Sequence, residues 1–126
     1  MHMFRAAVES GEFDTIGDLF AEDAVLHSPI AHRPYHGRDM VAAIICAVAN
    51  TLNDFRFDTE MRGEHAGDHA LMFNATVDGL KIQGCDFVHT RADGLIDTIT
   101  VMLRPLKAVS VFANKMRAEL DNAGTG

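Results

Sequence analysis

From Leu71 to Leu103 the chain alternates apolar and polar residues through three consecutive segments. The first sets Leu71, Phe73, Ala75 and Val77 against Met72, Asn74, Thr76 and Asp78. The second, residues 81–90, sets Ile82, Gly84, Asp86, Val88 and Thr90 against Lys81, Gln83, Cys85, Phe87 and His89. In the third, Ile99, Val101 and Leu103 oppose Thr98, Thr100 and Met102. A period of two puts alternate side chains on opposite faces, so these segments are predicted to be antiparallel strands with one face turned to an interior. The Asp78-Gly79 and Asp93-Gly94 steps between them are hairpin signals. An earlier stretch, 55–62, has the same period, with Phe55, Phe57, Thr59 and Met61 expected inside and Arg56, Asp58, Glu60 and Arg62 outside. A strand whose outer face is wholly charged suits a sheet edge, where charge blocks pairing with another chain.

Before residue 55 the period is helical. Phe4, Ala7 and Val8 form a short stripe that ends at Gly11, and Phe13, Ile16, Leu19 and Phe20 predict a second helix over 13–20. Residues 24–28 are expected to be a short strand. Pro29 and Pro34 then frame an irregular loop ending at Gly37 and carrying His32, Arg33, Tyr35 and His36. Val41, Ile44, Ile45, Val48 and Leu52 recur at helical spacing in a helix opened by Asp39. A last helix after Pro105 carries Val109, Phe112, Ala113, Met116 and Leu120, and residues 121–126 are expected to be a frayed tail. The order predicts a single α+β domain over 1–126, a curved antiparallel sheet packed on one face by three to four helices. A strongly bent sheet cannot close over its helices, so a conical cavity is expected between them.

Composition narrows the function. Eleven basic and eighteen acidic residues give a net charge of −7, and the basic residues are scattered. Nucleic acid and anionic membrane both select a basic patch, so neither is an expected partner. No apolar run approaches the length of about 18 residues that a membrane span requires. The N-terminus shows no basic-then-apolar leader, and no role is assigned to His2 or Met3. Cys46 and Cys85 are expected to be reduced, buried small hydrophobes of a cytoplasmic protein. His65 and His69 flank a turn that a hairpin could close, but with His89 they form no ligand set, so no metal and no cofactor is expected.

Asp86 is the one acidic residue at an inward position of the middle strands. A buried carboxylate is costly without a partner. It is therefore the candidate catalytic group, a carboxyl whose pKa rises in a dry pocket and which donates or accepts a proton. Ser28 shares the inward parity of Leu26 and is a candidate ligand contact, with capping of the turn at Pro29 as its structural alternative. Tyr35 on the polar loop is a candidate contact if that loop closes as a lid. His27 is expected to point away. The inward apolar residues Phe20, Ile44, Val48 and Phe57, with Phe73, Val88, Ile99, Val101 and Leu103, are core positions that also line whatever cavity exists.

The chain resembles the SnoaL-like group of the nuclear-transport-factor-2-like (NTF2-like) superfamily. The residues that carry the resemblance span the chain in order: Gly11-Glu12-Phe13-Asp14, residues 19–25, Ser28-Pro29, residues 35–38, Val77-Asp78-Gly79, Gly84-Cys85-Asp86, residues 93–96 and residues 101–106. It implies the cone fold and a superfamily that holds isomerases, cyclases, epoxide hydrolases, dehydratases and non-catalytic binders. Against ketosteroid isomerase, whose neutral carboxylic acid in an apolar oxyanion site is an established example, Asp86 falls where that acid sits. The same resemblance places Phe4 at the tyrosine donor and Ser28 at the general-base aspartate, so that activity is not expected. The Arg-x-Asp of the epoxide hydrolases is replaced by Asn74-Ala75-Thr76. The expected function is binding, and conversion by isomerisation, cyclisation or hydration, of a small apolar metabolite. A non-catalytic carrier or sensor and an interaction module with a filled cone are the alternatives. The superfamily often dimerises through the convex sheet face, and Phe87, Thr98, Thr100 and Met102 make that face apolar here, so a homodimer is expected.

Overall fold

The computed structural model describes residues 2–122. The period-two segments form β3 (Asn53–Arg62), β4 (Asp68–Val77), β5 (Leu80–Thr90) and β6 (Ile96–Arg104), paired antiparallel in sequence order. β1 (Phe20–His27) and β2 (Tyr35–His36) complete a six-stranded sheet of order β2-β1-β6-β5-β4-β3. Three helices, α1 (Met3–Glu9), α2 (Arg38–Thr51) and α3 (Leu106–Asn122), and a 3-10 segment (Phe13–Leu19) cover the concave face. The result is the α+β cone, with an open curved sheet.

The sheet differs from the purely antiparallel expectation at one seam. β1 runs parallel to β6, with Leu26 beside Ile99 and His27 beside Thr100. Alternation records which face a residue occupies, and nothing in it records the direction of the neighbouring strand. β2 occupies what was expected to be loop. Two residues are too few to show a period, and Tyr35 and His36 pair with Leu26 and Val25 all the same. Gly37 then turns the chain into α2 at φ 97°, its amide bonded to the Ala24 carbonyl at 2.8 Å. A side chain at that φ is strained, so glycine is required there.

A bulge alters the reading of β3. Phe57 pairs with Phe73, but the next register point is Thr59 with Met72. The extra residue reverses the parity beyond it. Glu60, expected outside, pairs with Leu71 and reaches Arg5 at 3.6 Å, whereas Thr59 and Met61, expected inside, are exposed. Residues 13–19 are 3-10 rather than α-helical, and Phe20 opens β1 instead of ending a helix. His2, given no role above, caps α1: its Nδ1 accepts from the Phe4 amide at 3.0 Å. Residues 121–122 belong to α3, and the rest of the expected frayed tail lies outside the described residues. No helix among the described residues is long and apolar enough to cross a membrane.

Candidate active site

Asp86 stands at mid-strand in β5, between Leu71 of β4 and Val101 of β6. Inward parity carries its carboxyl into the space between the sheet and the helices, and it is only 7% exposed. Among the described residues it has no hydrogen-bond or ion-pair partner. Removal from water, with no compensating charge, pushes its pKa from 3.8 up to about 7. The group is therefore neutral in mildly acidic solution and half ionised near neutrality.

The carboxyl faces a cavity of about 250 Å³. Of the residues expected around it, Ser28, Ile44, Val48, Phe57, Phe73, Ile99, Val101 and Leu103 line it. Phe73 stacks on Phe55 at 4.7 Å, and Phe57 meets Phe55 edge-on at 4.9 Å, so three rings form one wall. Room for that wall depends on Gly84, two residues before Asp86. A β-carbon there would strike the Phe73 ring and lie 2.7 Å from Leu103 Cδ2 and 2.8 Å from the Met102 carbonyl.

Three expected contacts lie elsewhere. Phe20 is fully buried against Phe4, edge-on at 6.0 Å, with its carbonyl accepting from Arg38 Nε at 2.9 Å. Val88, one inward step beyond Asp86, is buried in solid core between His69 and Ile99. The cavity does not reach either, because inward parity marks the concave face and not the unfilled part of it. Tyr35 lines a separate, adjoining cavity. Conversely, Phe4 and Val8 of α1, Phe13, and Phe112 and Met116 of α3 line the Asp86 cavity. Their helical stripes were legible, but a stripe does not distinguish packed core from cavity wall.

Ser28 both borders the cavity and caps its loop: Oγ accepts from the amides of Ile30 and Ala31 at 3.1 and 3.3 Å. Its hydroxyl hydrogen remains free to donate, but a serine so placed is a poor base. Phe4 presents a ring and no hydroxyl. The other carboxylate on the lining, Glu9, sits at the rim and holds Arg5 at 2.8 Å. Among the described residues Asp86 thus has a largely apolar enclosure, with Glu9 as the one other carboxylate on its lining, already engaged by Arg5. His27, His32, His36 and His65 are exposed, and His69 packs edge-on to His2 at 4.7 Å. Among the described residues no three of His, Cys, Asp or Glu are grouped to hold a metal. Both cysteines are free, and burial pushes each thiol pKa up.

The comparisons with known proteins follow this geometry. The profile of the SnoaL-like domain matches residues 1–99. The crystal structure of a steroid delta-isomerase from Pseudomonas aeruginosa is similar over 100% of this chain and 98% of its own, with 25% identity and a TM-score of 0.87. An uncharacterised bacterial protein with a cystatin-like fold from Silicibacter pomeroyi is 31% identical over 98% of this chain and 89% of its own, with a TM-score of 0.89. An epoxide hydrolase/cyclase-like enzyme of pyran-ring formation in salinomycin shares the fold alone, at 16% identity and a TM-score of 0.67 over 83% of this chain and 87% of its own. No curated protein matches the chain significantly. With the profile covering most of its length and the cone fold shared throughout, the chain belongs to the SnoaL-like family of the NTF2-like superfamily.

Proposed function

We propose that the protein binds a small apolar molecule bearing a carbonyl or hydroxyl oxygen, and that Asp86 is the group that meets that oxygen. The observation that carries this reading is a buried carboxyl with no partner among the described residues, facing a largely apolar cavity. Such a group is costly to keep unless a ligand uses it. In its neutral form it donates a hydrogen bond to a carbonyl; ionised, it accepts a proton from a hydroxyl or an acidic carbon. A pKa near 7 gives both forms at neutral pH, which suits isomerisation, cyclisation or hydration of the bound molecule.

The test is binding of cyclic ketones of graded size, followed by calorimetry from about pH 5 to about pH 9. Affinity is expected to fall as pH rises through about 7, and Asp86→Asn is expected to remove that dependence. Asp86→Ala is expected to weaken binding up to about tenfold, the worth of one hydrogen bond. Unchanged affinity and pH profile in both variants would sink the reading. The resemblance to ketosteroid isomerase favours a carrier or sensor over an enzyme, because it sets Phe4 and Ser28 where that enzyme keeps its tyrosine donor and its general base. Recovery of a chemically unaltered ligand after prolonged incubation with the protein is the result expected of a carrier.

We further propose that the convex face forms a symmetric homodimer. Phe87 and Met102 are 44% and 57% exposed on adjacent strands there. Such a patch is unusual on a monomer's surface. Sedimentation at micromolar concentration is expected to give a dimer, and Phe87→Asp a monomer. A native chain that sediments only as monomer excludes the interface.

A further inference from the structure

A second cavity of about 200 Å³ adjoins the first, between the loop after β1 and the last turns of α3. Ser28, Ile30, Ile44 and Met116 line both. The two spaces are therefore compartments with a common wall. Part of that wall is soft: Met116 is unbranched and flexible, and Ile30 sits on an exposed loop. Neither compartment alone reaches the range of about 300–1,000 Å³ usual for a small-molecule site, whereas the two joined fall within it.

Their chemistry differs. The first holds only Asp86 as an inward ionisable group, with Glu9 already engaged by Arg5 at the rim. The second adds Tyr35, Arg117 and Asp121 to an apolar floor of Ala113 and Leu120. Arg117 is the one cation lining either compartment, and among the described residues no carboxylate lies within 4 Å of it. A guanidinium with no ion-pair partner among the described residues, lining the same cavity as a phenol, matches a carboxylate on a ligand. Ser28 lines both cavities, and among the described residues its hydroxyl hydrogen has no acceptor.

We propose that the ligand is an elongated amphipathic carboxylate. Its apolar body and oxygen-bearing end occupy the Asp86 compartment, it passes Met116 and Ser28, and its carboxylate meets Arg117 and Tyr35 in the second. The proposal rests on the reading of the Asp86 cavity as a ligand site and extends it to the other end of the molecule.

Decanoate and decanol are the probes, titrated by calorimetry at about pH 6 against the native chain and two variants at exposed positions. Decanoate is expected to bind about fivefold more tightly than decanol, the worth of a partly exposed ion pair. Arg117→Gln is expected to abolish that preference and leave decanol unchanged. Asp121→Asn, which removes the carboxylate that lines the same cavity as Arg117, is expected to tighten decanoate alone. If decanol binds and decanoate shows no preference, or Arg117→Gln keeps the preference, the two-compartment proposal is overturned and the Asp86 reading stands. If neither probe binds, both are overturned.

Discussion

The unfolding free energy of the native chain is expected to drop by about 3 kcal/mol between about pH 5 and about pH 8 through Asp86 alone, and Asp86→Asn is expected to lose that drop. The sign follows from the two pKa values. Unfolded, the carboxyl titrates at 3.8; folded, at about 7. Between them the folded state holds a proton that the unfolded state has released, so raising the pH favours unfolding. Below 3.8 both states are protonated and the effect vanishes; above about 7 both are ionised and the full cost, about 4 kcal/mol, is present. Asparagine keeps the shape and cannot ionise, so the variant is expected to be the more stable protein at high pH. Urea unfolding of both proteins at several pH values measures the difference. His89, whose pKa is raised by its 2.6 Å bond to Asp97, also loses stabilisation as pH rises. That slope is common to both proteins and cancels when they are compared. Parallel stability curves would show that Asp86 is solvated and that the cavity is not a dry site.

Gly84→Ala is expected to destabilise the fold by about 3 kcal/mol, a large effect for one methyl group. The new β-carbon would meet the Phe73 ring, Leu103 Cδ2 and the Met102 carbonyl together. Two of these are side chains in the cavity wall, but the third is backbone of the neighbouring strand and cannot turn aside. Strain is therefore expected even after the rings adjust. Phe73→Leu in the same chain is expected to recover part of the loss, because it vacates the ring position. A thermal or urea unfolding series of the two single variants and the double variant measures the coupling. Additive losses would mean that Gly84 is not what makes room for Phe73.

Much of this was legible in the residues, and the misses share a cause. The strands from Leu71 to Leu103 and the helices around Ile44 and Phe112 follow directly from their periods. Asp86 was legible as the candidate group because an acid at inward parity conflicts with its neighbours. The β3 bulge was not, since one unpaired residue near Asp58 reverses the parity of Thr59, Glu60 and Met61 without leaving a mark on composition. The parallel seam between β1 and β6 was not legible either, because it joins segments some seventy positions apart. Membership of the cavity wall was misjudged in both directions, with Phe20 and Val88 included and Phe4, Phe13, Phe112 and Met116 left as core. All of these residues are apolar and inward. What separates them is where the helices fail to fill the cone.

The sequence by itself therefore determined the faces: which side chains turn inward, where the turns fall, and that one carboxyl turns inward with the apolar residues. Those are local properties, dictated by the period of each element and the cost of exposing or burying each side chain. Only the tertiary structure decided that the carboxyl meets a cavity and, among the described residues, no partner, and that Arg117 and Tyr35 border a second cavity beside it. A volume left over between packed elements depends on the curvature of the sheet and the seating of all the helices at once, and no single stretch of the chain encodes it.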